Sequence, residues 1–430
     1  MQPFSPASFE AAIEHLASKR HRRFAGEFAL SDLARDVEFV AHELSALVLR
    51  KQYTVSPAIA RHAFTDGKER TLFRSTALDA VVELVLARVL AAAFEEFYPS
   101  ALYSYRKARS QKQALCAFAE FVRAHRDHEP DPKRRGLFVL RRDVKSYGES
   151  IRVDEDSPLW PLVERALGNL SATARDAALS LLHQLLPRTY VDRDGATQVL
   201  SPGTPTGSAI QPMLNNLYLI DLDAKLSELG FYLRFGDDLL FATESAATAR
   251  SANDLIQSEF RDRGLLSKAE KELNLDFNGA ARSRLDGFSP TDVVNYLGMR
   301  VSFRGNVGLR ADKWRRVLRE TRQRMRRAMH GGDDRSPDQR TRDLVVLARN
   351  AFNVSETLSL RDAPTLRFVV DDRVQLRELD NLLCLYAAEL VTNQRGVRAF
   401  RKKSKKDLFL AGFPSQLQQR NVNTRKGRRP

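Results

Sequence analysis

The stretch Leu233-Arg234-Phe235-Gly236-Asp237-Asp238-Leu239-Leu240-Phe241 reads as two short apolar strands joined by a Gly-Asp-Asp turn. Apolar residues on both sides bury the base of such a hairpin and leave its carboxylates at the tip. Upstream, the apolar run Leu137 to Leu140 is short and flanked by charge, as expected of a buried central strand, and it leads directly into Asp143. Successive strand residues point to opposite faces, so only one of Asp237 and Asp238 can fully face a neighbouring strand that carries Asp143. Carboxylates converging in this way, with no His or Cys around them, make a hard oxygen site suited to Mg²⁺. Two such ions about 3.5–4 Å apart can activate one oxygen and stabilise another in an in-line phosphoryl displacement. Taken alone, Gly-Asp-Asp is also simply a good hairpin turn, since Asp and Gly are ordinary turn residues.

Between the two acidic sites lies Ser201-Pro202-Gly203-Thr204-Pro205-Thr206-Gly207-Ser208-Ala209-Ile210-Gln211-Pro212, a Gly/Pro loop that lets backbone approach a ligand closely. A helix is expected from Met213 to Leu226, with Leu214, Leu217, Tyr218 and Leu222 on one face. The loop has no Walker lysine, so an ordinary P-loop NTPase is not supported. Further out, one helix is expected after Ser5-Pro6, and a second after Ser31-Asp32 with Leu33, Val37, Val40 and Leu44 on one face. A strand is expected around Tyr53–Val55, a turn at Thr65-Asp66-Gly67-Lys68, and a helix from Leu78 to Phe97 stopped near Pro99. A polar loop from His125 to Arg135 precedes the Asp143 strand, and Val293 to Leu309 reads as a hairpin with Arg304-Gly305-Asn306 at its tip. From Ala311 the pattern becomes helical and basic, which places a boundary near Gly308–Ala311. Arg315, Arg319, Arg322 and Arg326 fall on one side of that helix, and Trp314, Leu318, Met325 and Met329 on another. The tail Asn421 to Pro430 lacks apolar residues and is expected to order only on nucleic acid.

The whole chain has 430 residues, 43% hydrophobic and 29% charged, which suits two or three domains with a large core. Lys and Arg number 69 against 54 Asp and Glu, for a net charge of +15, so the natural partner is a polyanion, nucleic acid first. Two cysteines, Cys116 and Cys384, allow neither a disulfide framework nor a cysteine-based zinc site and fit a reducing cytosol. Met1 to Leu16 lacks the cationic start and apolar core of a secretory signal, and Ala77 to Phe94 is interrupted by Asp79, Glu83 and Arg88, so no membrane span is expected. No period of about 20–50 residues recurs, which argues against a solenoid.

The order of these pieces resembles the reverse transcriptase family, in particular the bacterial retroelement type of group II introns, retrons and defence-associated relatives. Asp143 heads what looks like motif A. Gly203-Thr204-Pro205-Thr206-Gly207-Ser208 with Asn215, Asn216 and Leu217 looks like motif B. Phe235-Gly236-Asp237-Asp238 looks like motif C, with Phe-Gly where the family commonly has Tyr-Ala. Gly264-Leu265-Leu266-Ser267 with Lys271 matches motif D, and Tyr296-Leu297-Gly298 matches the primer-grip motif E. Tyr103-Ser104-Tyr105-Arg106-Lys107-Ala108-Arg109-Ser110 is similar to an upstream block of group II enzymes, and Gly67-Lys68-Glu69-Arg70 resembles the fingers segment that meets the triphosphate. Each motif is weak alone; their order makes the signal.

The resemblance implies an α+β right hand of fingers, antiparallel-sheet palm and helical thumb. Residues 1–50 would be an N-terminal helical extension, 51–310 fingers and palm, and 311–430 the basic thumb and tail. Asp143, Asp237 and Asp238, with the Val144 carbonyl, would bind two Mg²⁺ ions. Lys68 and Arg70 would clamp the triphosphate, and Lys271 would sit near the leaving pyrophosphate as a proton donor. Leu297, Gly298, Arg315, Arg319, Arg322 and Arg326 would meet the template–primer duplex. Two departures stand out. Thr206 replaces a nucleotide-pocket Gln, and Gly148, with Tyr147 before it, replaces the aromatic ring that blocks a ribose 2′-hydroxyl. The expected activity is that of a cytoplasmic RNA-directed DNA polymerase that uses deoxynucleoside triphosphates and an RNA template, makes cDNA, and serves antiviral defence with a non-coding RNA. RNA synthesis or untemplated addition is the alternative within polymerases, and a catalytically idle RNA-binding protein is the alternative outside them. His125 and His128 are three apart, but their charged surroundings speak against a metal site.

Overall fold

The computed structural model describes residues 2–18, 24, 30–65, 68–129, 131, 136–200, 203–329, 335–353 and 370–418. The expected tail, 421–430, and the turn residues Asp66 and Gly67 lie outside them. Two compact units divide the chain: residues 1–114 with 138–275, and residues 115–137 with 276–430. The division differs from the expected one. The N-terminal helices belong to the first unit, and the boundary expected near Gly308–Ala311 falls inside the second, because residues 276–310 pack with the helices that follow them.

In the first unit, α1 (Pro6–Ala17) begins with proline, whose missing N–H costs nothing there, and buries Phe9, Ala12, Ile13 and Leu16. A short helix, α2 (Leu30–Leu33), runs through a tight turn at Ala34–Asp36 into α3 (Val37–Leu49). That turn resets the helical phase, so the buried face of α3 is Ala41, Leu44, Ser45 and Val48 rather than one through Val37 and Val40. Tyr53–Val55 is not a strand: the Tyr53 hydroxyl donates to Asp79 Oδ1 at 2.9 Å and Val55 N–H to Gln184 Oε1 at 2.9 Å, so side chains replace a ladder. Pairing starts instead with β1 (Ala58–Thr65) and β2 (Lys68–Arg74), antiparallel from Ile59 opposite Arg74 to Thr65 opposite Lys68.

The next helix is α4 (Ala77–Glu95), capped by the Thr76 hydroxyl on Asp79 N–H; α5 (Gln111–His128), which belongs to the second unit from Leu115 on, extends past the expected loop start and carries His125 and His128 in its last turn. Then come β3 (Leu137–Asp143), α6 (Tyr147–Ser150), α7 (Leu159–Ala166), α8 (Ala172–Leu185), β4 (Thr189–Val191) and β5 (Thr197–Val199). The expected single helix after the Gly/Pro loop is two, α9 (Gln211–Tyr218) and α10 (Ile220–Leu229), broken at Leu219. The predicted face of Leu214, Leu217, Tyr218 and Leu222 is buried as expected. The Gly-Asp-Asp hairpin is β6 (Phe231–Phe235) and β7 (Asp238–Thr243), followed by α11 (Ala246–Asp262) and β8 (Leu273–Phe277).

Two sheets organise this unit. One has the order β2-β1-β4-β5, and the other runs β6-β7-β3-β8 with β3 buried along its whole length. Beneath the first sheet, the Arg188 guanidinium lies between the buried carboxylates of Asp79 and Glu83, and Glu83 Oε2 accepts the Ser208 hydroxyl at 2.7 Å. A charged network so deep is tolerated because each charge has a partner.

In the second unit, β9 (Ser289–Thr291) precedes a three-stranded meander, β10 (Val293–Tyr296), β11 (Met299–Ser302) and β12 (Val307–Leu309), where a single hairpin was expected. Its helices are α12 (Ala311–Met329), α13 (Pro337–Asn353), α14 (Arg373–Thr392), α15 (Val397–Lys402) and α16 (Lys405–Leu410). Arg126 is held inside this unit with its guanidinium 4.6 Å from the Phe277 ring centroid and 3.8 Å from that of Phe303. Burial pulls the Arg126 guanidinium down to about 9.

Candidate active site

The register of the second sheet sets Asp143, the last residue of β3, directly opposite Asp238, the first of β7. Phe235 pairs with Asp238, so Gly236 and Asp237 form a two-residue turn, and Gly236 takes the positive φ of +66° that such turns require. The two aspartates therefore differ in kind: Asp238 belongs to the strand and Asp237 to the turn. On β3, Arg141 shares the face of Asp143 and is the diagonal neighbour of Asp238. Its Nε and Nη2 donate to the two Asp238 oxygens at 3.0 and 2.7 Å, a bidentate pair buried on both sides. Burial pushes the Asp238 carboxyl above the usual range, against the pull of Arg141.

Asp143 and Asp237 meet a different pair of cations. Val144 N–H donates to the Asp237 carbonyl at 3.1 Å, which ties the turn to the end of β3. Val144 also bridges to Ser267, Lys145 N–H donates to Leu266 O at 2.7 Å, and Lys268 N–H donates to Asp143 O at 2.8 Å. That short antiparallel seam carries Lys268 and Lys271 onto the carboxylates. Both ammonium groups donate to Asp143, and Lys268 lies 3.4 Å from Asp237 Oδ2. Burial would lower the Lys268 ammonium, but hydrogen bonding and charge attraction from Asp143, then from Asp237, outweigh it and raise the group above an ordinary lysine. The Asp143 side chain is 4% exposed and that of Asp237 is 41% exposed, so Asp237 is the one open to a ligand from outside.

The turn rests on a second layer. Ser104 Oγ accepts Gly236 N–H at 2.9 Å and donates to Asn216 Oδ1 at 2.7 Å, while Asn216 Nδ2 returns to Ser104 O at 2.8 Å. Arg234 donates to Gly236 O at 3.2 Å, to Asn216 O at 2.6 Å and to both oxygens of Asp223, in an ion pair with 0% exposure on either side chain. Arg234, Asp223 and Lys268 carry no distinguishing signal in the sequence; a charge inside an apolar strand was the one available hint for Arg234.

The Gly/Pro loop docks beside this centre. Phe73 N–H on β2 donates to Thr206 O at 3.1 Å, so the loop sits on the strand that carries Lys68 and Arg70, whose side chains lie outside the described residues. Gly203 has φ +115°, and a Cβ there would come within 2.9 Å of Glu149 backbone, which is why glycine is required. Gly148 O accepts Thr204 N–H at 2.8 Å. The space beside Gly148 is not open: a Cβ would meet Gln211 Nε2 at 2.6 Å, Thr204 Oγ1 at 3.3 Å and Asn215 Nδ2 at 3.4 Å. Tyr147 is buried, with its hydroxyl donating to Asn215 O at 2.6 Å, and burial raises that hydroxyl well above an ordinary tyrosine. The glycine at 148 thus makes room for the Gln211 carboxamide rather than leaving a void.

The remaining expected residues lie in the second unit. Leu297 (φ +48°) and Gly298 (φ +75°) form the two-residue turn between β10 and β11. A leucine in the left-handed region costs about 1–2 kcal/mol, a strain characteristic of functional turns. On α12, Arg315, Arg319 and Arg326 are exposed, and Val317 and Met325 are buried. Arg322 departs from the expected solvent face: it is half-buried, 3.3 Å from Glu389 and 4.7 Å from the Tyr386 ring centroid.

No protein-family model matches the sequence, and no curated protein matches it. Among solved structures, apo telomerase from Candida tropicalis, truncated from its C-terminal domain, is similar at 12% identity and a TM-score of 0.45, covering 64% of this chain and 60% of that one. Telomerase from Candida albicans in complex with a TWJ fragment of telomeric RNA is similar at 11% identity and a TM-score of 0.46, covering 87% of this chain and 67% of that one. This chain thus spans less than two thirds of the first of them. Likeness of that degree assigns neither family nor activity, and the functional reading stands on the site itself.

Proposed function

We propose that the chain is a nucleotidyltransferase of reverse-transcriptase type, an RNA-directed DNA polymerase that extends a primer with deoxynucleoside triphosphates. The observation that carries this reading is the meeting of Asp143 and the turn residue Asp237 around one ammonium group, Lys268, at the end of a buried antiparallel sheet. Its donor set suits Mg²⁺: hard carboxylate oxygens, no softer ligand in contact, and a local demand for positive charge that two lysines now meet. Among the described residues no three His, Cys, Asp or Glu side chains cluster around one point, because Asp238 is turned to Arg141. Asp143 and Asp237, with the Val144 carbonyl, are therefore the residues that would hold the metal, and Asp238 sets the position of the strand. Bound there, divalent cations supply the charge that activates a primer hydroxyl and neutralises a leaving pyrophosphate.

The chain's own groups do the rest. Lys271, in contact with Asp143, is the group we assign to hand a proton to the departing oxygen. Lys68 and Arg70, on the strand that receives the Gly/Pro loop, supply charge for the triphosphate, and the exposed arginines of α12 track duplex phosphates. From the family resemblance follow a cytoplasmic setting, a non-coding RNA as template and a role in antiviral defence. Among the described residues no helix is long and apolar enough to cross a membrane.

Primer extension by the purified chain tests this reading. RNA and DNA templates, each offered deoxy- or ribonucleotides with Mg²⁺ or with EDTA, are compared for wild type and Asp237→Asn. RNA-templated deoxynucleotide incorporation that needs Mg²⁺ and Asp237 is expected. Nucleic-acid binding with no incorporation under any condition overturns it in favour of an idle binding protein. Template-independent or ribonucleotide products overturn it in favour of the other polymerase reading.

A further inference from the structure

The second unit contains a cavity that shares Arg322 and Arg326 with the basic face of α12 but adds groups from α14 and the turn after it that the polymerase reading does not use. It opens between α12 and α14, has a volume of about 190 Å³, and is lined by Arg322, Arg326, Tyr386, Glu389, Gln394 and Arg395, among others. Asn393, at φ +53°, ends α14 in the left-handed conformation and turns the chain so that Gln394 and Arg395 line one side. Among the described residues Glu389 is the one carboxylate in the lining, and each of its oxygens already accepts a hydrogen bond: Oε1 from Gly396 N–H at 3.0 Å and Oε2 from Arg322 at 3.3 Å. Arg322 is fixed from its other side by the Tyr386 ring. Arg326 and Arg395 have no ion-pair partner among the described residues.

Three guanidiniums and one carboxylate leave the cavity with an excess of two positive charges. Its volume is below the ~300 Å³ or more typical of sites for drug-sized ligands, so it fits a small anionic group rather than a whole nucleotide. Guanidinium geometry matches phosphate oxygens in bidentate fashion. A backbone phosphodiester carries one negative charge, whereas a phosphate monoester carries about 1.5 to 2 at neutral pH and so answers the excess better. We infer that this cavity binds the phosphate monoester at the 5′ end of a nucleic-acid strand. That the partner is a nucleic acid rests on the polymerase reading. The 5′ end follows because synthesis works on 3′-hydroxyl ends, leaving the 5′ end as the terminus that carries a monoester.

The test is binding of the full chain to oligonucleotides of one sequence bearing either a 5′-phosphate or a 5′-hydroxyl, followed by fluorescence anisotropy. Wild type is expected to prefer the phosphorylated strand roughly tenfold, the scale of one or two charge-assisted hydrogen bonds. Arg395→Ala, at an exposed position, should remove that preference while leaving the affinity for the 5′-hydroxyl strand intact, and Arg395→Lys should restore part of it. Equal affinity of wild type for the two strands overturns the inference, as does a preference that survives Arg395→Ala. An adenosine monophosphate competitor that erases the preference at the same concentration as the phosphorylated strand overturns the strand-end assignment in favour of a free nucleotide. Failure of the polymerase reading looks different, since it appears as absent incorporation whatever the 5′ end.

Discussion

In the first unit the arginines around the carboxylate turn are consumed inside the protein, Arg141 on Asp238 and Arg234 on Asp223. In the second unit Arg315, Arg319, Arg326 and Arg395 reach the surface with no carboxylate partner among the described residues. Buried charges must be paired to be tolerated, so the first arrangement fixes geometry and leaves little adjustable. Exposed unpaired charges cost almost nothing to keep and wait for a partner from solution. One unit spends its arginines inside the fold; the other leaves them at the surface.

The sharpest way to break this comparison is at the turn. Asp237→Asn should lower nucleotide incorporation by about a thousandfold, comparable to losing a principal electrostatic stabiliser of the transition state. Its thermal midpoint should stay near that of wild type, because the side chain is 41% exposed. Asp143→Asn should cost as much, and the double variant no more than either, since both act through one centre. Additive losses in single-turnover assays would separate the two residues.

Next in size is the buried pair beneath. Arg234→Met strands the Asp223 carboxylate at 0% exposure and should cost about 3–5 kcal/mol in urea unfolding. A loss under about 1 kcal/mol would mean that the turn does not depend on its support.

A smaller effect is expected at Gly148, where an added Cβ would meet Gln211 Nε2 at 2.6 Å. Gly148→Ala should cost about 1 kcal/mol, and the cost should vanish in a Gln211→Ala background. Unchanged cost in the double variant would place the strain in the backbone instead. The smallest effect belongs to the exposed face: Arg315→Ala or Arg319→Ala should each flatten the salt dependence of duplex binding by about 0.9 in log–log slope, with little change in stability. Arg322→Ala should also loosen α12 from α14, because Arg322 is tied to Glu389 and Tyr386.

Much of the centre was legible in the chain. The alternation around Gly236-Asp237-Asp238 and the apolar run before Asp143 gave both strands to within a few residues, because a buried antiparallel pair demands that pattern. Helix phase was less legible. Neither the turn at Ala34–Asp36 nor the break at Leu219 carries Gly or Pro, so no local breaker announces them. The strand expected at Tyr53–Val55 failed for a related reason, since distant Asp79 and Gln184 offered its polar groups better partners. At Gly148 the missing side chain suggested an empty gate, while the space belongs to Gln211, whose arrival there no local pattern announces.

By itself, then, the sequence determined that two acidic sites sit at strand ends, that the chain turns basic from Ala311, and that a Gly/Pro loop lies between the acids. Local rules carry that information, because strand period, turn chemistry and charge count depend on neighbours in the chain. Only the tertiary structure decided which charges meet. Lys268 reaches Asp143 across 125 residues of sequence and Arg141 reaches Asp238 across 97, so which carboxylate meets the lysines and which meets Arg141 is a property of strand register. Register is set by the whole sheet and its packing, and a shift of one residue would exchange the faces and the roles with them.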